Sequence, residues 1–417
     1  MLLIVAGFIG TLGFRISIPV IAFLGRDILQ LSAFIISFFY SGYMVSRALS
    51  SITLGYIVDR IPKVIYLIPL FATLFAITIY CYVYADHWII IVLLRMFQGF
   101  LGGCIWPIVQ YMIAEISPMN LKGRILSIYF ALGSIGILLG NVVYACISEE
   151  PISYQLFLST ILFLAATIAM LASISLVKSK IIKYRQKKLK AKTLFERSVL
   201  YVIASGFLLA LSVAYVFGDI SYVYISEVLS LTKSETALLL ALCSGLSICA
   251  SYIISWLADK GFEKETLILT YTLVLVSLPL VSIGSIYVLP IGITLALISV
   301  KAFHPLSRRY ISLHCMMPAT GIGAVNMTMN LGVSLGLLVF SNAYDYLKHV
   351  KINVYGLEIN YTPYVLLLFA IPLALFMLKF LTLGKNRNKL RRFLRTSFKL
   401  YNLAHYHYWS LLYNSLH

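Results

Sequence analysis

Twelve apolar stretches, each bounded by charged or turn residues, run through this 417-residue chain. They lie near residues 2–24, 33–57, 64–84, 88–113, 124–147, 153–177, 199–224, 235–257, 266–284, 287–311, 322–343 and 362–383. A helix that crosses a bilayer takes about 20 predominantly apolar residues, and each stretch is near that length or beyond it. The remainder is too poor in charge to clothe a water-facing surface: 61% of residues are hydrophobic and 12% charged, where soluble domains carry about 25% charged residues. The expected fold class is an all-α polytopic membrane protein with twelve transmembrane helices in two pseudo-symmetric six-helix bundles.

The division into two follows from the charges. KSKIIKYRQKKLKAKTLFER (178–197) carries nine Lys/Arg and one Glu, a polar hinge between the sixth and seventh spans. It separates an N-terminal bundle (1–177) from a C-terminal bundle (199–383), with 178–198 as a cytoplasmic linker and 384–417 as a basic tail. Lys and Arg accumulate on cytoplasmic loops. With the hinge inside, the connections on that side and the tail hold 24 Lys/Arg, against four on the other side: Arg26, Lys233, Lys348 and Lys351. This bias predicts both termini in the cytoplasm of a protein of the plasma membrane, and it accounts for the net charge of +18 without nucleic acid. The first 24 residues have neither a basic leader region nor a small-residue cleavage site and read as a retained span. The six cysteines show no C-x-x-C spacing, so neither a disulfide framework nor a metal site is expected.

The halves repeat. A shift of 200 aligns Leu31 with Leu231, Asp59-Arg60 with Asp259-Lys260, Pro118 with Pro318, Gly123 with Gly323, Ser134 with Ser334 and Gly136 with Gly336. Parallel repeats of six helices are one of the transporter architectures.

GYIVDRIPKVIYL, between the second and third spans, resembles motif A of the major facilitator superfamily at Gly55, Asp59, Arg60 and Lys63; Pro62 and Val64 depart from the pattern. RMFQGFLGG (Arg95 to Gly103) is similar to that superfamily's span-four signature, AEISPMNLKGR to its inner loop, and WLADKG to a weaker second-half echo of motif A. The resemblance spans essentially the whole chain. It implies that Asp59 and Asp259 with Lys260 latch the halves at the cytoplasmic side: Asp59 near Gly321–Gly323 at the start of span eleven, Asp259 near Lys122–Arg124 at the start of span five. A helix N-terminus stabilises such a carboxylate by about 0.3–1 kcal/mol. The resemblance also implies that spans one, four, seven and ten line a central cavity while three, six, nine and twelve face lipid. Spans three, six and nine indeed carry no Asp, Glu, Lys or Arg.

Ionised side chains at bilayer depth cost about 2.5–3.5 kcal/mol and normally face a cavity or each other. The candidates are Arg15, Arg47, Arg95, Lys301, His304 and Arg308. Lys301, His304 and Arg308 share one helix face, as do Arg95, Gln98, Gly102 and Trp106, and a third stripe holds Tyr40, Tyr43, Arg47 and Ser51. Arg95 is expected to be largely architectural, packing on Gln98 and backbone carbonyls. Asp219 is the acid at depth: it would bind a proton, pair with Arg15 or Lys301, or cap its helix. Antiporters of the family are expected to carry an acid in span one or four, where this chain has a base. Gly133, Gly136 and Gly140 in span five, and Gly332 and Gly336 in span eleven, read as close-packing positions on helices that slide between the halves.

The function expected is secondary transport of a small solute by alternating access, with no cofactor and no ATP-binding loop. The basic excess at depth points to an organic anion, with proton coupling through Asp219; multidrug efflux and a non-transporting receptor or scaffold are the alternatives. A monomer is expected. The tail, with Leu390, Phe393, Leu394 and Phe398 among Arg391, Arg392, Arg395 and Lys399, suits a helix lying on anionic headgroups.

Overall fold

A segment in lipid must close its own backbone hydrogen bonds, and this chain does so by forming helices. The computed structural model describes residues 1–118, 122–184, 197–315, 318–354, 357–360, 362–366 and 371–372. Among them are twelve α-helices: α1 (Leu2–Phe23), α2 (Ala33–Arg60), α3 (Ile68–Cys81), α4 (Trp88–Ile116), α5 (Lys122–Ile147), α6 (Ile152–Tyr184), α7 (Arg197–Ser212), α8 (Gly218–Leu229), α9 (Lys233–Asp259), α10 (Glu263–Val281), α11 (Leu289–His314) and α12 (Pro318–Leu347). A hairpin of β1 (Lys351–Val354) and β2 (Leu357–Asn360) follows, in antiparallel register with Lys351 opposite Asn360. Eight of the described helical segments are long and apolar enough to cross a membrane, and Val199–Ser212 and Glu265–Val281 are shorter apolar helices. The 28-residue α2 is not among the eight. Its length of about 42 Å would suffice, but Ser37, Ser41, Ser46, Arg47, Ser50 and Ser51 dilute its apolar character.

These twelve helices are not the twelve expected spans. The seventh span is broken. α7 ends at Ser212, a single 3₁₀ turn covers Ala214–Val216, and α8 starts again at Gly218. Gly218 has φ +66°, and a Cβ there would lie 2.3 Å from a ring carbon of Tyr40 if the backbone stayed in place. Only glycine serves both the left-handed conformation and the close approach. The expected linker is also shorter than 178–198: α6 continues as helix to Tyr184, and α7 begins at Arg197. Most of the twelfth span and the tail 384–417 lie outside the described residues.

Helix α1 packs on α5 and α6, α2 on α4, α3 on α4 and α6, α7 on α12, and α11 on α9 and α10; the two sets, α1–α6 and α7–α12, meet most extensively where α2 packs on α12, and also where α5 packs on α9 and α8 on α1 and α2. Small residues bring the backbones together. Gly99 sits against the Tyr43 carbonyl and Gly103 against Ser50 and Arg47. A Cβ at Gly136 would lie 2.7 Å from the Phe8 carbonyl, and one at Gly140 2.7 Å from Cβ of Arg15. Gly332 and Gly336 abut the carbonyls of Phe207 and Leu211. The span-five and span-eleven glycines therefore bind α5 to α1 and α12 to α7, within each set, rather than forming a sliding face between the halves. Gly133 is looser, with Thr11 Oγ1 3.9 Å from its Cβ position.

Where α2 meets α12, Ser41 donates to the Ser334 carbonyl at 3.2 Å and Ser51 to the Gly323 carbonyl at 3.3 Å. A Cβ at Gly55 would stand 2.8 Å from the Ala319 carbonyl. At the opposite end of α2, its first amides, Ala33 and Phe34, donate to the Asp345 carboxylate at 3.2 and 2.8 Å, a cap supplied by α12 to satisfy otherwise unpaired N–H groups.

Candidate substrate cavity and its buried charges

The break before α8 places two polar side chains, Asp219 in the first turn and Tyr222 one turn on, on one face of a twelve-residue helix. Asp219 accepts a hydrogen bond from Arg95 Nη2 of α4 at 2.8 Å, and both side chains are fully buried. Arg95 Nη1 also donates to Gln98 Oε1 at 3.2 Å, an oxygen that accepts Tyr82 OH at 3.0 Å. The expected partners of Asp219, Arg15 and Lys301, are thus displaced by Arg95, which is an ion-pair member as well as a packing residue. Asp219 Oδ2, Arg95 Nε and Gln98 Nε2 are buried with no partner, so polar capacity around the pair is not exhausted.

Tyr222 makes the second tie. Its hydroxyl donates to Asn141 Oδ1 of α5 at 2.7 Å, the same oxygen that accepts Arg15 Nε of α1 at 2.9 Å. The Arg15 guanidinium lies 5.2 Å from the Tyr222 ring centroid, within cation–π range. α8 is therefore fastened to α4 through a carboxylate and to α1 and α5 through an amide oxygen.

Just beyond, toward the end where α1 finishes, Arg26 pairs with Glu227 at 2.5 Å and Lys233 with Asp27 at 2.8 Å. Tyr344 OH donates to the other Glu227 oxygen at 2.9 Å. These pairs are partly exposed, and they join the π-helical turn Leu24–Ile28 to α8, α9 and α12.

A second, all-basic group gathers around Phe130 of α5. His304 of α11 stacks on that ring at 5.7 Å, and the Arg308 guanidinium lies 5.7 Å from its centroid. Arg308 is 1% exposed and donates to Asn326 Oδ1 at 2.5 Å and Ser307 Oγ at 2.9 Å. Arg47 of α2 acts electrostatically on both Arg308 and His304. Arg47 Nε, Arg308 Nε and His304 Nδ1 are buried without partners. Arg47 also lies 5.8 Å from the Tyr43 ring, which stacks between Tyr40 and Phe14 at 5.4 Å from each.

Other expected site residues fall elsewhere. Lys301 donates to the Ser244 carbonyl and hydroxyl, both at 2.8 Å, in a cleft between α5, α9 and α11. Trp106 belongs to the packing of the first six helices, edge-on to Phe163 at 6.1 Å and against Gly10. The side chains of Asp59 and Asp259 lie outside the described residues. Their neighbours repeat the shift of 200 in a contact not foreseen: Arg60 sits 4.2 Å over Tyr56, and Lys260 3.8 Å over Trp256. Lys63 is exposed. Sequence reasoning missed the roles of Asn141, Tyr222 and Asn326. The first two carried a readable signal, a lone amide in an apolar run and a Tyr one helical turn from the buried acid.

Solved structures share this architecture. The nucleoside transporter NupG aligns with TM-score 0.64 at 14% identity, covering 92% of this chain and 98% of that one, and a mutant of it gives 0.67 at 12% over 91% and 98%. The human organic anion transporter MFSD10 (TETRAN) aligns with TM-score 0.68 at 12% identity over 91% and 98%. No curated protein sequence matches the chain. The family description Major Facilitator Superfamily matches residues 3–337. With motif, helix order and whole-chain fold agreeing, this integral membrane protein belongs to the Major Facilitator Superfamily.

Proposed function

We propose that the chain is a secondary transporter that moves a small organic anion across the plasma membrane by alternating access, with both termini in the cytoplasm and two six-helix bundles rocking about a central site. The observation that carries this reading is the cluster of Arg47, His304 and Arg308. It draws cations from α2 and α11, and three of its buried nitrogens lack partners. Like charges brought together out of water repel, so the cluster is stabilised when an anion binds between them. Such an anion would also draw the two sets of helices together, which is the differential interaction that a conformational cycle requires. Fold does not choose the substrate: by their descriptions MFSD10 carries organic anions and NupG nucleosides.

The coupling we propose runs through Asp219. A proton on its carboxyl removes the charge that holds Arg95 and frees α8 from α4, where α8 also bears Tyr222 and Glu227. Flux into proteoliposomes tests both parts. A carboxylated solute should be transported in preference to a lipophilic cation, and Arg308→Gln should abolish it. Acceleration by an imposed proton gradient should disappear in Asp219→Asn. Preference for the cation would favour efflux of drugs; no flux of any solute would favour a receptor or scaffold.

A further inference from the structure

Lys301 makes no contact with either charge cluster's ion partners and lies in a small cleft, with about 20 Å³ of enclosed space, bounded by Phe130 and Ser134 of α5, Ser251 and Ser255 of α9, and Pro305 of α11. The cleft opens sideways. Tyr252, which lines it, is 57% exposed, and the adjoining Ile253 and Ile128 are exposed on the same outer surface, where a membrane protein meets acyl chains. The mouth of the cleft therefore faces lipid.

Its inner wall is polar. Ser244, Ser251 and Ser255 lie at i, i+7 and i+11 on one face of α9, a hydroxyl line about 16 Å long. Lys301 is held at one end of it through Ser244. Beyond the other end, Lys260 lies over Trp256, a pairing of the kind found at the membrane–water interface. A charge at depth is costly unless it is paired or reaches water. Lys301 has serine oxygens for hydrogen-bond partners, and the charge acting on it from α1 is another cation, Arg15.

We propose that this cleft binds a single-chain amphiphilic anion, with a carboxylate or phosphate head on Lys301 and the chain passing Tyr252 into the bilayer. The enclosed space of about 20 Å³ is far below the roughly 300–1,000 Å³ of clefts that enclose a whole ligand, so it takes only the charged oxygens of the head while lipid solvates the chain. The hydroxyls of Ser251 and Ser255 donate to the carbonyls of Ile248 and Ser251, each at 2.9 Å, which leaves Lys301 to supply the donors for the head. The cleft shares the Phe130 ring with the Arg47–Arg308 cluster but takes its cation from Lys301, so the inference goes beyond the transport reading and does not rest on it.

The test is binding, not flux. The full chain in phosphatidylcholine nanodiscs is exposed to a long-chain carboxylate bearing a photoactivatable group on its chain, and adducts are mapped by peptide mass spectrometry. Adducts should concentrate in 128–134 and 248–256. Lys301→Gln should lower them about tenfold, as loss of a charged hydrogen-bonding partner does, while Lys301→Arg retains them. The methyl ester of the probe should not label the cleft, and acetate should not compete. An acyl phosphate probe that labels as well as the carboxylate assigns the site to the shared head charge; a phosphate that fails restricts it to carboxylates. Should Lys301→Gln not fold, Ser134→Trp, which fills the cleft, should remove the adducts in its place. Labelling spread evenly over the lipid-facing helices, labelling indifferent to head charge or to Lys301, or competition by acetate would overturn the proposal. Arg308→Gln should leave the labelling unchanged, so a failed transport reading and a failed cleft are told apart.

Discussion

Arg95 and Asp219 meet at 2.8 Å with no exposure of either side chain, joining the helix of the fourth span to the short helix that completes the seventh. A buried pair contributes little net stability relative to apolar residues, but removing one partner strands the other and costs about 3–5 kcal/mol. Arg95→Gln and Asp219→Asn should each lower the unfolding midpoint in detergent, and the double variant should be more stable than the sum of the two losses predicts. Additive losses would mean the two side chains act independently.

Asn141 serves two donors through one oxygen. Asn141→Leu leaves Arg15 Nε and Tyr222 OH without their acceptor, at about 1–3 kcal/mol for each stranded group. The expected outcome is a destabilised protein in which Arg15→Leu, introduced second, costs less than it does alone. A thermal-shift cycle reads it.

Gly218 combines a left-handed φ with the Tyr40 ring against its Cα. Gly218→Ala should lose about 1–2 kcal/mol from the backbone conformation and more from overlap with Tyr40. The variant Tyr40→Ala should relieve the overlap and leave the backbone cost. Unfolding of the single and double variants separates the two contributions.

Arg26–Glu227 and Asp27–Lys233 are partly exposed, and pairs of that kind contribute about 0–1 kcal/mol to stability. Their expected effect is on the balance between conformations. Glu227→Gln should raise the reactivity of a Ser41→Cys reporter, set between α2 and α12, toward a membrane-impermeant thiol reagent while hardly moving the unfolding midpoint. High salt should act on the parent protein in the same direction, because it screens exposed charges. Unchanged reactivity in both would remove these pairs from gating.

Hydropathy made the membrane fold legible, because lipid allows few backbone solutions and the apolar runs announce themselves. The break at Gly218 was hidden for the same reason: 199–224 carries no charge apart from Asp219, and a window average passes over one glycine packed against a tyrosine far away in sequence. The buried charges were legible as a set of residues and not as partnerships. Depth alone picked out Arg47, His304, Arg308 and Asp219. Which cation met Asp219 depended on how α4 and α8 face each other, and a one-dimensional pattern does not encode that. Trp106 shared a helix face with Arg95 yet turned to the packing of its own six helices, since a stripe about three turns long reaches two environments.

Two of the places where the repeats touch are unequal. Along α2 and α12 the contact is close, serine hydroxyl to carbonyl and glycine to carbonyl, from Asp345 to Gly55. Between α5 and α9 the halves touch at one end and part around Lys301. One of these contacts is therefore a closed seam and the other an open edge. Whatever surrounds the protein in the plane of the bilayer meets two different flanks, so its lipid neighbours should be sorted by side as well as by leaflet.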